Sequence, residues 1–392
     1  MRKKKIAFIG IKGLPAKAGV DAVVEKIVNR FDHERFEPVV YVSKSEVPAD
    51  VAYPGVRLVR IKTLPGKYFR ATSLFLFAAL HALFRGDYDL INVHSVETCF
   101  VLPVLRLRYR VVSTAHGLLS QEPVELSKWG WARPLLRLTE LPFMHLSNAR
   151  TSVSKPDKMY LESRYNKPVE YLPIGIDELK PDLQRAREFL AKHGLEPNGY
   201  MIFTAGRIVP RKGAHFALEA LREMDEDVKL LILGDTSHVP EYTQRLNKLA
   251  DARTVFGGFI ADKDLLFGLV SLSKLFIFST TYEAMAATLL EVAALRTPLI
   301  ASDIPENREV LPDQALFFKS ADVADLRDKL RWALANPNGM KTLVDRAYQW
   351  VSEKYRWPVD ICRNEQLYDQ WSGGTTEQHG AISRHEPVAG GK

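Results

Sequence analysis

Cysteine is nearly absent: Cys99 and Cys362 are the two in 392 residues, far apart and without metal-ligand spacing. That excludes a disulfide framework and a cysteine-held metal, and it fits a reducing compartment with both thiols as packing residues. Long apolar runs are missing too. The longest, "TSLFLFAALHALF" (Thr72–Phe84), is thirteen residues, short of the roughly 20 that span a bilayer. At the start, the apolar "IAFIG" is cut short by Lys12, below the about 7 to 15 residues of a signal segment, so it reads as a first strand. There is no ATPase-type phosphate loop: in "TAGRIVPRKG" Lys212 precedes Gly213 and Ala214 follows, which disfavours ATP hydrolysis. The clusters "RKKK" and "RLRYR" are short and no nucleic-acid motif surrounds them, so nucleic acid is not an expected partner. Low complexity is confined to 372–392, "SGGTTEQHGAISRHEPVAGGK", which reads as a disordered tail.

What is present is uneven. The net charge is +7, yet residues 1–178 hold 27 Lys and Arg against 18 Asp and Glu, or +9, whereas 179–392 hold 27 against 29, or −2. The basic half suits an anionic partner, either a phosphate-bearing ligand or an acidic membrane surface, and equally a solvated basic face. The 72–84 stretch, flanked by Lys62, Lys67, Arg70 and Arg85, has two readings as well. It is a helix buried on a sheet, with His81 a hydrogen-bonded core residue, or a helix lying on a membrane.

Short β-branched apolar runs alternate with helical segments: "KIAFIG", "PVVYVS", "VRLVRI", "DLINVHS", "YRVVSTAHG", "NARTSVS", "PVEYLP". After "PIGIDELKPDLQ" the rhythm restarts with "YMIFTAGR", "VKLLILGD", "RTVFGGF", "KLFIFST", "PLIASD" and "ALFF". This predicts an α/β chain of two doubly wound parallel sheets, each a Rossmann-like domain. The boundaries read as 1–178, 179–356, a helix at 357–371 crossing back to the first domain, and the tail.

Ligands of open α/β sheets bind beyond the carboxyl ends of the strands. Four such places carry chemistry. Arg207 follows "YMIF" and Lys212 is placed to open the next helix, so two cations and a helix dipole converge on an anion suited to a diphosphate. In "TTYEAMAATLLEVAAL", the small residues Ala284, Ala286 and Ala287 let a ligand approach the backbone. Glu283 sits at the strand tip, and Glu291 lies within the helix, where a carboxylate can accept both hydroxyls of a ribose. His116 follows a strand in "STAHG". The first loop is "GIKGLPAKAGVDAVVEKI".

These motifs, with "VSKPDKMY", "LPIGID", "FGGFIADKDL" and "SDIPENREV", together resemble the retaining GT-B glycosyltransferases of family four over residues 5 to about 371. The resemblance implies transfer of a sugar from a nucleotide-diphosphate donor to a glycan or lipid-linked acceptor, in surface polysaccharide or glycoconjugate assembly at the cytoplasmic face. It implies that His116 faces the donor sugar, that Glu283 binds its hydroxyls and that Arg207 and Lys212 hold the leaving phosphates. Met285, Ala286, Ala287 and Thr288 would bind the diphosphate through their backbone and Glu291 the ribose. Gly19, Gly206, Gly258, Phe259 and Ile260 would complete the donor pocket, with the base near "GGFIA". No cofactor other than the donor, and no metal, is implied. The chain departs from the family pattern at Ala18, where a second glycine is usual, at Ile174 in place of Asn, and by the glycine missing before Asn307. The donor half is intact and the acceptor half less defined. A nucleotide-sugar epimerase of the same architecture and a non-catalytic nucleotide-sugar binder are the alternatives.

Overall fold

The computed structural model describes residues 2–16, 19–66, 69–122 and 133–373. Ala18 and the 374–392 part of the expected tail lie outside these. The first half runs β1 (Lys4–Ile9), α1 (Val20–Arg30), β2 (Phe36–Ser43), β3 (Arg57–Ile61), α2 (Phe69–Arg85), β4 (Leu90–His94), α3 (Leu102–Leu105), β5 (Val111–Ala115), α4 (Arg133–Leu146), β6 (Ala149–Ser152), α5 (Lys155–Tyr165) and β7 (Glu170–Tyr171). The second runs α6 (Leu183–Lys192), β8 (Tyr200–Arg207), α7 (Ala214–Arg222), β9 (Lys229–Asp235), α8 (Pro240–Leu249), β10 (Thr254–Gly258), α9 (Lys263–Ser271) and β11 (Leu275–Phe278). It continues with α10 (Ala287–Ala294), β12 (Leu299–Ser302), α11 (Pro305–Val310), β13 (Leu316–Phe318), α12 (Val323–Ala335), α13 (Pro337–Lys354) and α14 (Trp357–Ser372).

Among the described residues the strands form two parallel sheets, ordered β3-β2-β1-β4-β5-β6-β7 and β10-β9-β8-β11-β12-β13. β4, β5 and β11 are buried along their whole length, because helices cover both faces of a parallel sheet. That is why these strands read as continuous apolar runs rather than alternating ones. The strand order reverses between β1 and β4 in one sheet and between β8 and β11 in the other, the paired strands staying parallel. Each reversal leaves a crevice at the carboxyl ends.

α14 packs on the first sheet. Tyr368 is fully buried against Phe8 and Phe31, its hydroxyl accepts from Asn92 Nδ2 at 2.6 Å, and Asp369 pairs with Lys4 at 2.7 Å. The chain crosses at Asp177, which meets Lys26 at 2.8 Å and also Arg30 of α1, while both cations lie over the Trp357 ring. Cys99 is a buried packing residue as expected, but Cys362 is exposed, since α14 turns it away from the sheet that Tyr368 enters.

α2 buries Leu74 and the small side chains of Ser73, Ala78, Ala79 and Ala82, which seat the helix close on the sheet. His81 is half-buried, with Nδ1 3.1 Å from the Tyr41 hydroxyl. The opposite face stays open, with Phe69, Leu76, Phe77 and Phe84 exposed. No described helix is long and apolar enough to cross a membrane.

Candidate active site

The residues following strands of both sheets line one cleft of about 820 Å³. From the first half come Gly19, Val20, Lys26 and His116. From the second come Gly206, Phe259, Ile260, Met285, Ala287, Thr288 and Glu291. Gly19 caps α1 at φ +65°, in the left-handed region that any larger residue would enter with strain.

His116 does not stand alone. Its ring stacks on that of His94 with centroids 5.1 Å apart, and its Nε2 lies 2.9 Å from His94 Nδ1, one ring donating to the other. Burial pulls His116 down to about 4, and burial with the neighbouring ring holds His94 far below the usual histidine range. At neutral pH both rings are uncharged, so His116 offers the cleft a hydrogen bond rather than a cation. The sequence reasoning passed over His94, although "DLINVHS" places a histidine at a strand tip. The sheet makes it a neighbour because β4 pairs with β5 and sets His94 beside Thr114.

On the opposite wall, α10 starts at Ala287 with Ala286 as its N-cap, and a methyl cannot satisfy the first amides. Of the amides from Met285 to Thr288, that of Ala287 donates to the Met285 carbonyl at 2.8 Å, so an anion here would be met by its neighbours. Glu291 lies one turn further and lines the cleft, with Lys263 Nζ 3.4 Å from its Oε1. Lys263 is a cleft residue that the sequence reading did not single out. Gly258 has φ +73° and turns the chain so that Phe259, largely exposed, and Ile260 reach the same wall.

The two cations are placed differently from each other. Arg207 is the last residue of β8, exposed, in register with Asp235. Lys212 does not open α7. It closes the 3₁₀ turn Pro210–Lys212, and Gly213 at φ +77° caps the helix, a glycine being needed because a Cβ there would lie 2.0 Å from Ser279 O. Lys212 Nζ is bound to Glu283 Oε1. Glu283 is therefore nearly buried behind the cleft wall rather than pointing openly into it. An ammonium has three donors, so Lys212 can keep this carboxylate and still reach a phosphate.

Behind the cleft, α5 meets α11 through carboxyl groups. Burial, and then Glu306 and Glu309, push Asp157 up to about 8, and its Oδ2 has no hydrogen-bond partner among the described residues. Glu309, raised to about 7 mainly by burial, accepts from the Lys155 amide at 2.9 Å. Folded Asp157 keeps its proton up to about pH 8, whereas an unfolded aspartate loses it near about pH 4. Unfolding between those values releases a proton, so this group's contribution to stability falls as the pH rises through that window. The melting temperature should thus fall less from pH 6 to pH 9 in Asp157→Asn than in wild type, with the variant ahead at pH 9 by about 1 kcal/mol or more, roughly 2 to 4 °C. Parallel curves would show that Asp157 is ionised at pH 6.

With this geometry in view, two family models match the chain: Glycosyltransferase Family 4 over residues 18–178 and Glycosyl transferases group 1 over residues 186–350. An alpha-D-kanosaminyltransferase of Streptomyces kanamyceticus is 25% identical over 260 residues, 60% of this chain and 64% of that protein. Among solved structures, a sucrose-phosphate synthase from Thermosynechococcus elongatus aligns over 94% of this chain and 99% of its own, with a TM-score of 0.76 and 22% identity. HepE of Anabaena, in complex with UDP and glucose, aligns over 94% and 100% with a TM-score of 0.76 and 16% identity. At those identities the structural likeness concerns the fold.

Proposed function

The chain belongs to the family-four GT-B glycosyltransferases, and from that premise we propose that it moves a hexose from a nucleotide-diphosphate sugar to a glycan or lipid-linked acceptor, with retention at the anomeric carbon and without a divalent metal. The observation that carries this reading is the cleft between the two switch points, where Glu291, the start of α10 and neutral His116 line one space. Glu291 holds the ribose and the α10 amides take the diphosphate. Lys212 and Arg207 neutralise the leaving group as the anomeric bond breaks, which is the work a metal does elsewhere. His116 hydrogen-bonds the sugar. Glu283, held by Lys212, orients its hydroxyls from behind. Closure of the cleft keeps water from an oxocarbenium-like centre. UDP in the HepE complex favours a uridine nucleotide as the first donor to try.

The test is a panel of UDP-, GDP- and dTDP-hexoses, with and without membrane extract and with and without EDTA, the products being resolved by mass spectrometry and anomeric NMR. Transfer with the donor's configuration kept, unaffected by EDTA, is the expected result. A changed donor without acceptor would mean an epimerase. Binding without any product would mean a non-catalytic binder.

A peripheral membrane contact of the first half belongs to the same proposal. Of the fifteen large apolar side chains exposed among the described residues, nine fall between Leu64 and Leu141. They include Phe84 of α2, Leu107 just after α3 and Leu138 of α4, ringed by exposed Arg85, Arg106, Arg108 and Arg137. Apolar side chains among arginines suit an anionic bilayer, which takes the chains below its headgroups and the guanidinium groups at their level. Co-sedimentation with phosphatidylglycerol vesicles should exceed that with phosphatidylcholine. Phe84→Ser with Leu107→Ser should lower it roughly tenfold or more. Equal partition to both lipids, unmoved by the pair, would remove the contact.

A further inference from the structure

We infer that Tyr282 is a positioning residue that sets the distance between His116 and Glu283 by clasping the two halves of the chain; this rests on the proposed transferase reading of the cleft. The Tyr282 hydroxyl accepts from the Leu118 amide at 3.2 Å and donates to the Leu118 carbonyl at 3.0 Å, so one phenol satisfies both backbone groups of a residue in the other half. Leu118 is two positions from His116, and Tyr282 is next to Glu283. The loops touch between these points, because a Cβ on Gly117 would stand 2.8 Å from Ala284 Cβ.

A second tie runs beside the first. Arg211 Nε lies 3.3 Å from Oε1 of Glu122, a carboxylate of the first half that is 8% exposed, while Arg211 Nη1 donates to Tyr282 O at 3.3 Å. The Arg211 carbonyl in turn accepts from the Thr281 amide at 2.9 Å and from the Thr280 hydroxyl at 3.1 Å. Arg211 thus braces the loop carrying Tyr282 and Glu283 and holds it against the first half. The Tyr282 hydroxyl is taken up by Leu118, and the Arg211 guanidinium by Glu122 and Tyr282 O. Their effect on chemistry has to pass through the residues they hold, and each half has a separate apolar core that does not need them.

Removing one hydroxyl should therefore change the alignment of the site while leaving the nucleotide wall intact. In Tyr282→Phe, kcat with the donor that wild type turns over should fall roughly ten- to a hundredfold, as two hydrogen bonds are lost. The Kd for UDP by calorimetry should stay within about twofold, since the proposed ribose and diphosphate contacts, Glu291, the α10 amides, Lys212 and Arg207, lie in the second half. Water reaches the poorly closed centre, so the share of donor hydrolysed rather than transferred should rise. Glu122→Gln, which weakens the other tie without touching the donor wall, should move kcat and hydrolysis the same way by less. Arg211→Lys should retain more turnover than Arg211→Ala.

A fall in melting temperature with kcat and the hydrolysed share unchanged would make Tyr282 a structural residue only and overturn the inference. Loss of UDP affinity in parallel with kcat would overturn it as well, by showing that the donor loop itself had collapsed. Absence of turnover by wild type across the donor panel would instead overturn the transferase reading, and this inference with it.

Discussion

Glu291→Gln should weaken nucleoside diphosphate binding, whereas Glu283→Gln should leave it intact or slightly tighter and lose turnover. Glu291 lines the open cleft, and a carboxylate accepting from ribose hydroxyls is worth about 1.5 to 3 kcal/mol, so a loss of roughly ten- to a hundredfold in UDP affinity is expected. Lys263, 3.4 Å from Glu291, is largely exposed and its pairing contributes little, so it should not mask the effect. Glu283 differs because its partner is Lys212. Neutralising Glu283 leaves that ammonium without its anion and freer to attract a diphosphate, while the sugar loses the group that orients it. Affinity and rate should thus move apart in one variant and fall together in the other. Calorimetry with UDP beside kcat measurements on both variants decides it. Equal losses of affinity, or none in either, would withdraw both roles.

The fold was legible because the strands of a parallel sheet are buried on both faces. "LINVH" and "LFIF" cannot be mistaken for half-exposed strands, and the charged or small residues just past them mark the carboxyl ends. The motif residues His116 and Glu291 could be found for the same reason: His116 directly follows β5, and Glu291 lies one turn into the helix that follows β11. What stayed hidden is pairing across distance. Nothing local in "DLINVHS" says that His94 will meet His116, because strand order decides it. Nothing in "TTYEAM" says that Tyr282 will reach Leu118, 164 positions away. Lys212 and Glu283 were both singled out, yet as two groups facing a ligand rather than as partners to each other. Lys212, at the end of the 3₁₀ turn before Gly213, meets Glu283 in the loop after β11. Asp157 sat inside a quoted motif with no role, since its perturbation comes first from burial and then from Glu306 and Glu309 in the other half of the chain, neither of which is local in sequence.

That Lys212–Glu283 pair makes Lys212→Ala the most damaging single change expected in the site. The substitution removes a cation from the leaving diphosphate, and a group matched to charge that develops in the transition state is worth about 2.7 to 4 kcal/mol, a hundredfold or more in kcat. It also strands Glu283, which is nearly buried and already close enough to Glu306 for its charge to raise that group. A carboxylate left there without its ammonium repels an incoming diphosphate and shifts away from the sugar, so UDP affinity should drop with the rate. Arg207→Ala lacks this second effect: Arg207 is exposed at the end of β8, and its loss costs the phosphate grip alone. The ordering expected is therefore Lys212→Ala below Arg207→Ala in turnover, with Lys212→Ala combined with Glu283→Gln binding UDP better than Lys212→Ala by itself, because the stranded charge is gone. A double variant no better than the single one would show that Glu283 exerts no repulsion at the phosphate position. Full turnover in Lys212→Ala would show that the ammonium holds the loop and not the leaving group.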